Sequence, residues 1–412
     1  MTIPSIPNAG SADLPRPLDI NEVFRGGGRS VEFLDEINQA SVVMLCETGI
    51  VPRELGSRIA RGIAQVMANE PRAQRSADYL DYEPQLIAVA GPEASRLHSG
   101  GSRQDIASTI ARMNLRDGLL QECEALIDVR RKLVALAENH KETIIPAYTH
   151  GVQAQPTTFA HYLLAFASAL ARQTERMREA YARINCNPLG AAVLATSSFP
   201  LDRKRLAELL GFDGLLENAY DANHLAPIDA FLDLAGDYRS YDPVPCTRPL
   251  QVLKLFAEVV DGIVVDKDRA LEEVHADYST TTTTEIADAL LQRAQVPFRV
   301  GHHFASLLTD YGRSHRLRLS DIPFCEVQRI YRDETKQPLP LSESEFGQVI
   351  SAYYMVSGRR GVGGPQLAEI DRMLADESAR AANDRAWHDE KLRRLADALC
   401  ELEQRFRAIA AG

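Results

Sequence analysis

Four long stretches of this chain repeat apolar residues at three- and four-residue steps, with charged residues between them. They are LRDGLLQECEALIDVRRKLVALAENH, from Leu115 to His140; HYLLAFASALARQTERMREAYARI, from His161 to Ile184; RPLQVLKLFAEVVDGIVVDKDRALEEV, from Arg248; and DRAWHDEKLRRLADALCELEQRFRAIA, from Asp384. That period suits an amphipathic helix and does not suit a strand. Signatures of compact β-hairpins are nearly absent, so the pattern predicts an all-α chain built around a central long-helix bundle. The expected regions are a leader with an N-terminal helical domain at 1–108, the bundle at 109–265, and a C-terminal helical region at 266–412. Long antiparallel helices bury one stripe internally and can turn another towards neighbouring subunits, so an oligomer is expected.

Bulk properties narrow the function classes. A formal charge of -11 over 412 residues argues against a general nucleic-acid surface. No apolar run is long enough for a membrane span. The opening MTIPSIPNAGSADLPRPLD lacks the basic head and apolar centre of a secretory signal and reads as a flexible leader, which makes the cytoplasm the expected location. Cys46, Cys123, Cys186, Cys246, Cys325 and Cys400 are scattered, with neither metal-ligand spacing nor the density of a disulfide framework. Thr282 stands three residues before Glu285, a capping-box pattern at the start of a helix.

Polar residues gather between the helical stretches. SRLHSGGSRQD, Ser95 to Asp105, combines hydroxyls, two guanidiniums, an imidazole and paired glycines. Such a loop can hold a carboxylate, because arginine offers a rigid donor fork and glycine lets the backbone approach closely. It can equally be a solvated turn with Asp105 near a helix start. In IIPAYTHGVQAQPTTFAHYL, Thr149 and His150 precede the amides of Gln153 and Gln155. A histidine there can relay a proton near neutral pH. It can also be a satisfied helix-terminal residue, with His161 in the core or behind the site. Thr196, Ser197 and Ser198 form a third group beside small residues, where Asp202 and Arg205 read as a helix-start pair. Asn218, Tyr220, Asp221 and His224 form a fourth.

Taken in order, these segments resemble the fumarase/aspartase superfamily, and within it argininosuccinate-lyase-like proteins. SRLHSGGSRQD is similar to SRxHTGRSRND, YTHGVQAQPTTFAHYLLA to YTHLQxAQPxTFGHxLLA, and PLGAAVLATSSFPLDRKRLAELLGF to PLGxGALAGTTFPIDRxRxAxLLGF. TEIADALLQRAQVPFRVGHHFAS and GVGGPQ resemble later family segments. The resemblance implies a three-region helical fold, a homotetramer with sites completed by neighbouring subunits, and reversible carbon–nitrogen elimination that releases fumarate and an amine. It implies no metal, flavin or nicotinamide. Ser102, Arg103 and Gln104 fall on the substrate-loop positions; Gln104 stands where the family has asparagine. Thr149, His150 and Gln153 fall on the THLQ positions, with Gly151 and Val152 in place of one leucine. Arg103 is expected to meet a substrate carboxylate, Ser102, Gln104, Thr149 and Gln153 to orient it, and His150 to bind substrate or assist transfer to the leaving group. Tyr238, Arg239, Tyr241 and Arg248 are expected near the far half of the substrate. The charged composition of that stretch departs from the argininosuccinate-lyase pattern YNRDxQEDK, which points to an N-substituted aspartate or an aminopolycarboxylate.

One family element has no counterpart. The base in this family is a serine on a mobile loop of pattern GSSxMPxKxN, and no such segment occurs in the chain. DAFLDLAG runs straight into DYRSYDPVPCTRPLQVLKLF near residues 236–237, with both sides retaining family resemblance. Two readings follow: an enzyme whose complete chain carries a further internal segment, which the intact polar motifs favour, or a shortened homologue that keeps the scaffold as a binding or assembly protein.

Overall fold

The computed structural model describes residues 29–69, 71, 74–227, 247–275 and 283–412. Its first part runs through α1 (Ser30–Glu47), α2 (Arg53–Asn69), α3 (Tyr79–Ala90) and the long α4 (Arg103–Glu138). A hairpin, β1 (Ile144–Thr149) and β2 (Val152–Thr158), leads into α5 (Phe159–Ile184). After β3 (Cys186–Asn187) come α6 (Arg203–Leu209), β4 (Gly214–Leu215) and α7 (Ala219–His224), with β3 and β4 paired in parallel. The remainder is α8 (Thr247–Asp261), α9 (Lys267–Val274), α10 (Thr284–Ala294), α11 (Phe298–His315), α12 (Phe324–Thr335), α13 (Glu343–Val349), α14 (Ala352–Ser357) and α15 (Leu367–Ala411). Helix dominates, as the three- and four-residue period requires.

Contacts divide the chain into two compact units. The first comprises Met1–Ala125, Glu175–Val252 and Ala386–Gly412; the second comprises Leu126–Thr174 and Leu253–Arg385. In the first unit Phe33, Leu34 and Ile37 of α1 pack with Ile59 and Ile63 of α2, and with Leu402 and Phe406 from the end of α15. The second unit has two main cores. Val129 and Leu133 meet Leu163, Leu164 and Ile370 in one; Ile286, Leu290, Phe304, Val327 and Phe346 fill the other. Gly301 matters in this second core, because a Cβ there would lie 2.9 Å from the Ala287 backbone, so only glycine lets α11 approach α10 this closely.

Two departures from the helical expectation have local causes. The segment around His150 is a β-hairpin and not a helix end. His150 and Gly151 both have positive φ, 51° and 76°, in a two-residue loop, which is the turn that matches strand twist. Pro146 and Pro156 face each other across the pair, so neither removes a ladder bond that its partner needs. Further on, the stretch from Arg248 is broken into α8 and α9. Asp266 caps α9, accepting a hydrogen bond from the Arg269 amide at 2.9 Å, after the intervening GIVV. The capping-box threonine, Thr282, lies outside the described residues.

Burial in the first unit makes stability depend on pH. The Glu36 carboxyl is pushed up to about 7 by desolvation, which the Arg29 guanidinium 3.6 Å away does not offset. A carboxyl with a folded pKa above its unfolded value favours the native state while protonated. Its contribution is therefore complete below the unfolded value and is lost as pH rises through about 7. Glu36→Gln should flatten this dependence and make the protein more stable than wild type by about 2 kcal/mol at alkaline pH. Thermal unfolding of both proteins at acid and alkaline pH checks it; parallel pH curves would refute it.

Candidate active site

At the start of α4 the sequence folds into a capped helix end whose first two residues are exposed. Residues Pro92–His98 form a 3-10 turn, after which Gly100 adopts φ 68° and the chain enters α4. Ser102 is the cap: its Oγ accepts a hydrogen bond from the Gln104 amide at 3.1 Å. Arg103 and Gln104 follow in the first turn, both exposed. Earlier members of the motif are engaged in the turn itself. Ser95 Oγ donates to the Pro92 carbonyl at 2.8 Å, and Arg96 donates to the Ile50 carbonyl at 2.9 Å. His98 stacks on Tyr79 with ring centroids 4.5 Å apart, and burial pushes its imidazole below the usual range.

Asp105 was read from sequence only as a residue near a helix start, and it does more than that. It is fully buried, and its carboxylate leaves α4 to accept from the Ala192 amide at 2.7 Å, the Val193 amide at 3.1 Å and Asn223 Nδ2 at 3.0 Å. Burial raises its pKa, while these donors favour the charged form. Three separate polar motifs thus meet at one carboxylate. The loop it holds contains three non-glycine residues at positive φ: Ala192 at 49°, Val193 at 71° and Thr196 at 59°. For β-branched valine and threonine this is genuine strain, which persists only when surrounding contacts impose it. Arg203 ties the adjacent segments with hydrogen bonds to the carbonyls of Leu189, Leu216 and Glu217. The Asp202–Arg205 pair resolves into a cap, Asp202 Oδ1 accepting from the Arg205 amide, while the Arg205 guanidinium pairs with Glu47 and Glu401.

The second unit presents Thr149 and His150 exposed at the hairpin turn. Gln153 is anchored: its Nε2 donates to the Glu273 carbonyl at 2.7 Å and to Glu273 Oε1 at 3.2 Å, fixing β2 on the end of α9. Behind the turn, Thr158 Oγ1 accepts from the His161 amide and starts α5. His161 Nε2 lies 2.9 Å from the Gly363 carbonyl, so it carries the proton, and Nδ1 accepts from Thr157 Oγ1. His161 therefore ties the GVGGPQ turn to the hairpin.

Ser102, Arg103 and Gln104 stand together in the first unit, and Thr149, His150 and Gln153 in the second. Arg248 falls in the first turn of α8, whereas Tyr238, Arg239 and Tyr241 lie outside the described residues. A 290 Å³ cavity in the first unit, lined by Phe33, Glu36, Arg116, Leu120 and His388 among others, contains none of the site residues inferred from sequence. Among the described residues no three His, Cys, Asp or Glu side chains gather as a metal-ligand set, and no helix is long and apolar enough to cross a membrane.

Comparison with known proteins finds a lyase family model matching residues 78–240 and an argininosuccinate lyase C-terminal model matching 280–357. The argininosuccinate lyase of Methanosarcina mazei is 44% identical over 422 residues, taking in 82% of this chain and 85% of that protein. That of Methanocaldococcus jannaschii is 28% identical over 444, covering 86% and 90%. Among solved structures, EDDS lyase in complex with formate superposes with a TM-score of 0.82 at 26% identity, over 95% of this chain and 93% of that one. An EDDS lyase variant with bound fumarate gives the same values. The M. mazei alignment is longer than this chain while taking in only 82% of it, so part of that relative's length has no counterpart here.

Proposed function

From the premise that this chain belongs to the argininosuccinate lyase family of the fumarase/aspartase superfamily, we propose that it catalyses reversible elimination of an amine from an N-substituted aspartate or aminopolycarboxylate, with fumarate as the common product. The observation that carries this reading is the capped start of α4, where half-buried Ser102 and exposed Arg103 and Gln104 bring a hydroxyl, a guanidinium and an amide into one turn. Donors of this kind favour an aci-carboxylate, the form in which negative charge accumulates when the carbon next to a carboxylate loses its proton. In the first unit Arg103 takes a carboxylate and Ser102 and Gln104 orient it; in the second, Thr149 is assigned to substrate orientation and His150 to proton transfer at the leaving group. Gln153 acts through the hairpin, since its amide nitrogen is held by Glu273. Fumarate bound to an EDDS lyase variant supports a fumarate-related ligand; the departure from YNRDxQEDK supports the aminopolycarboxylate class, and the 44% identity to a named argininosuccinate lyase supports argininosuccinate equally.

We further propose a homotetramer. Val252, Leu255, Phe256 and Val259 repeat at helical spacing on α8 and are 64%, 62%, 40% and 51% exposed, a stripe that further copies of the chain would cover. No residue here is assigned the carbon base, because the GSSxMPxKxN segment is missing. That absence favours a second reading, a homologue that binds dicarboxylates without turnover. One experiment separates them: purified protein of verified intact mass and four-chain assembly, incubated with argininosuccinate, with N-substituted aspartates, and with fumarate plus diamines. Fumarate release or consumption supports the enzyme; fumarate binding without turnover supports the second reading; neither binding nor turnover refutes both.

A further inference from the structure

Asp105 makes a kind of contact that the neighbouring site residues do not. Its carboxylate gathers two consecutive backbone amides, Ala192 and Val193, both in the left-handed region, where successive N–H groups converge on one anion. Neither residue is glycine, so the loop would relax from this conformation without a partner to hold it. The loop in turn forms a wall. A Cβ on Gly100 would meet Ser197 Oγ at 2.9 Å and Leu201 Cδ1 at 3.0 Å, so the Gly100–Gly101 turn is seated against it. Ser197 is fixed in that wall by accepting from the Phe199 amide at 3.1 Å. The third contact, from Asn223, brings α7 to the same carboxylate.

We infer that Asp105 is a positioning residue for the start of α4: by holding the Ala192 and Val193 amides it keeps the loop in its strained form, and the loop seats the turn that presents Ser102, Arg103 and Gln104. This rests on the proposed dicarboxylate-binding role of that turn. The probe is fumarate, titrated calorimetrically into the full chain well below its melting temperature. Asp105→Asn keeps the shape but places an amide against donors, and should weaken fumarate binding about ten-fold or more. Adding Ala192→Gly and Val193→Gly should recover most of that loss, because glycine occupies positive φ without strain. A purely stabilising role would lower the melting temperature yet leave affinity within roughly two-fold of wild type, and that outcome overturns the inference. If Asp105→Asn does not fold, Asn223→Ala removes one of the three hydrogen bonds, and an affinity loss of about three-fold is expected, with no change counting against the inference. Amide exchange separates this inference from the functional reading. The Gly101 amide, bonded to the His98 carbonyl, and the Gln104 amide, bonded to Ser102, should exchange about ten-fold faster in Asp105→Asn. Unchanged exchange overturns the positioning role whether or not wild type binds fumarate; failure of wild type to bind, with faster exchange in the variant, overturns only the functional reading.

Discussion

Arg130→Met should destabilise the second unit by about 3–5 kcal/mol. Arg130 lies on α4 with no solvent exposure. Its Nη1 is 2.5 Å from Asp384 Oδ2, its Nη2 is 3.4 Å from Glu377 Oε2, and Thr174 Oγ1 lies 3.4 Å from Nη1. Both carboxylates are themselves buried, and Glu377 also accepts from Ser168 Oγ at 2.9 Å and pairs with Arg380. Methionine restores most of the volume, so the loss comes from taking away the guanidinium that buried Asp384 and Glu377 share, and not from a cavity. The same physics predicts recovery. Arg130→Met combined with Asp384→Leu and Glu377→Met removes the two buried acids together with the guanidinium between them, and should regain part of the lost stability. Because the chain has two compact units, the test follows the unfolding transition of the second by amide exchange at residues 129–137 during a urea series. A single variant within about 1 kcal/mol of wild type would mean that the network is not a buried charge site.

Arg130 also shows what sequence can disclose here. The long period of α4 and α5 was legible because a stripe of leucines and alanines repeats locally, and local repetition is all that a helix needs. An arginine inside that pattern reads as part of the solvated face. That it turns inward depends on Asp384, far away in the chain, which no local spacing encodes. Asp105 was hidden for the same reason, since its partners Ala192, Val193 and Asn223 come from two later motifs. The hairpin was missed differently. Its signal is a short His-Gly turn flanked by prolines, and prolines ordinarily argue against a strand; here they oppose each other. The start of α4 was legible in place, because a helix start beside Asp105 is a purely local feature, and α4 begins at Arg103 behind the Ser102 cap.

That local arrangement makes Arg103 the sharpest functional test. A cation in the first turn of a helix opposes the positive end of the helix dipole, so local physics gives no reason to place one there. Arg103 is exposed, and its replacement should leave the melting temperature unchanged or slightly higher. If its purpose is to grip a carboxylate, the cost appears in binding alone. Arg103→Ala should weaken fumarate binding about 100-fold, near 2.7 kcal/mol, by removing a charge-assisted bidentate contact. Arg103→Lys retains the charge but replaces the planar fork by a point donor, and should recover only part of that loss, leaving binding about ten-fold weaker than wild type. Calorimetric titration of the assembled protein, paired with melting curves, reads both quantities. Equal affinity in all three proteins would remove Arg103 from the site and, with it, the reason to regard the start of α4 as a carboxylate-binding turn.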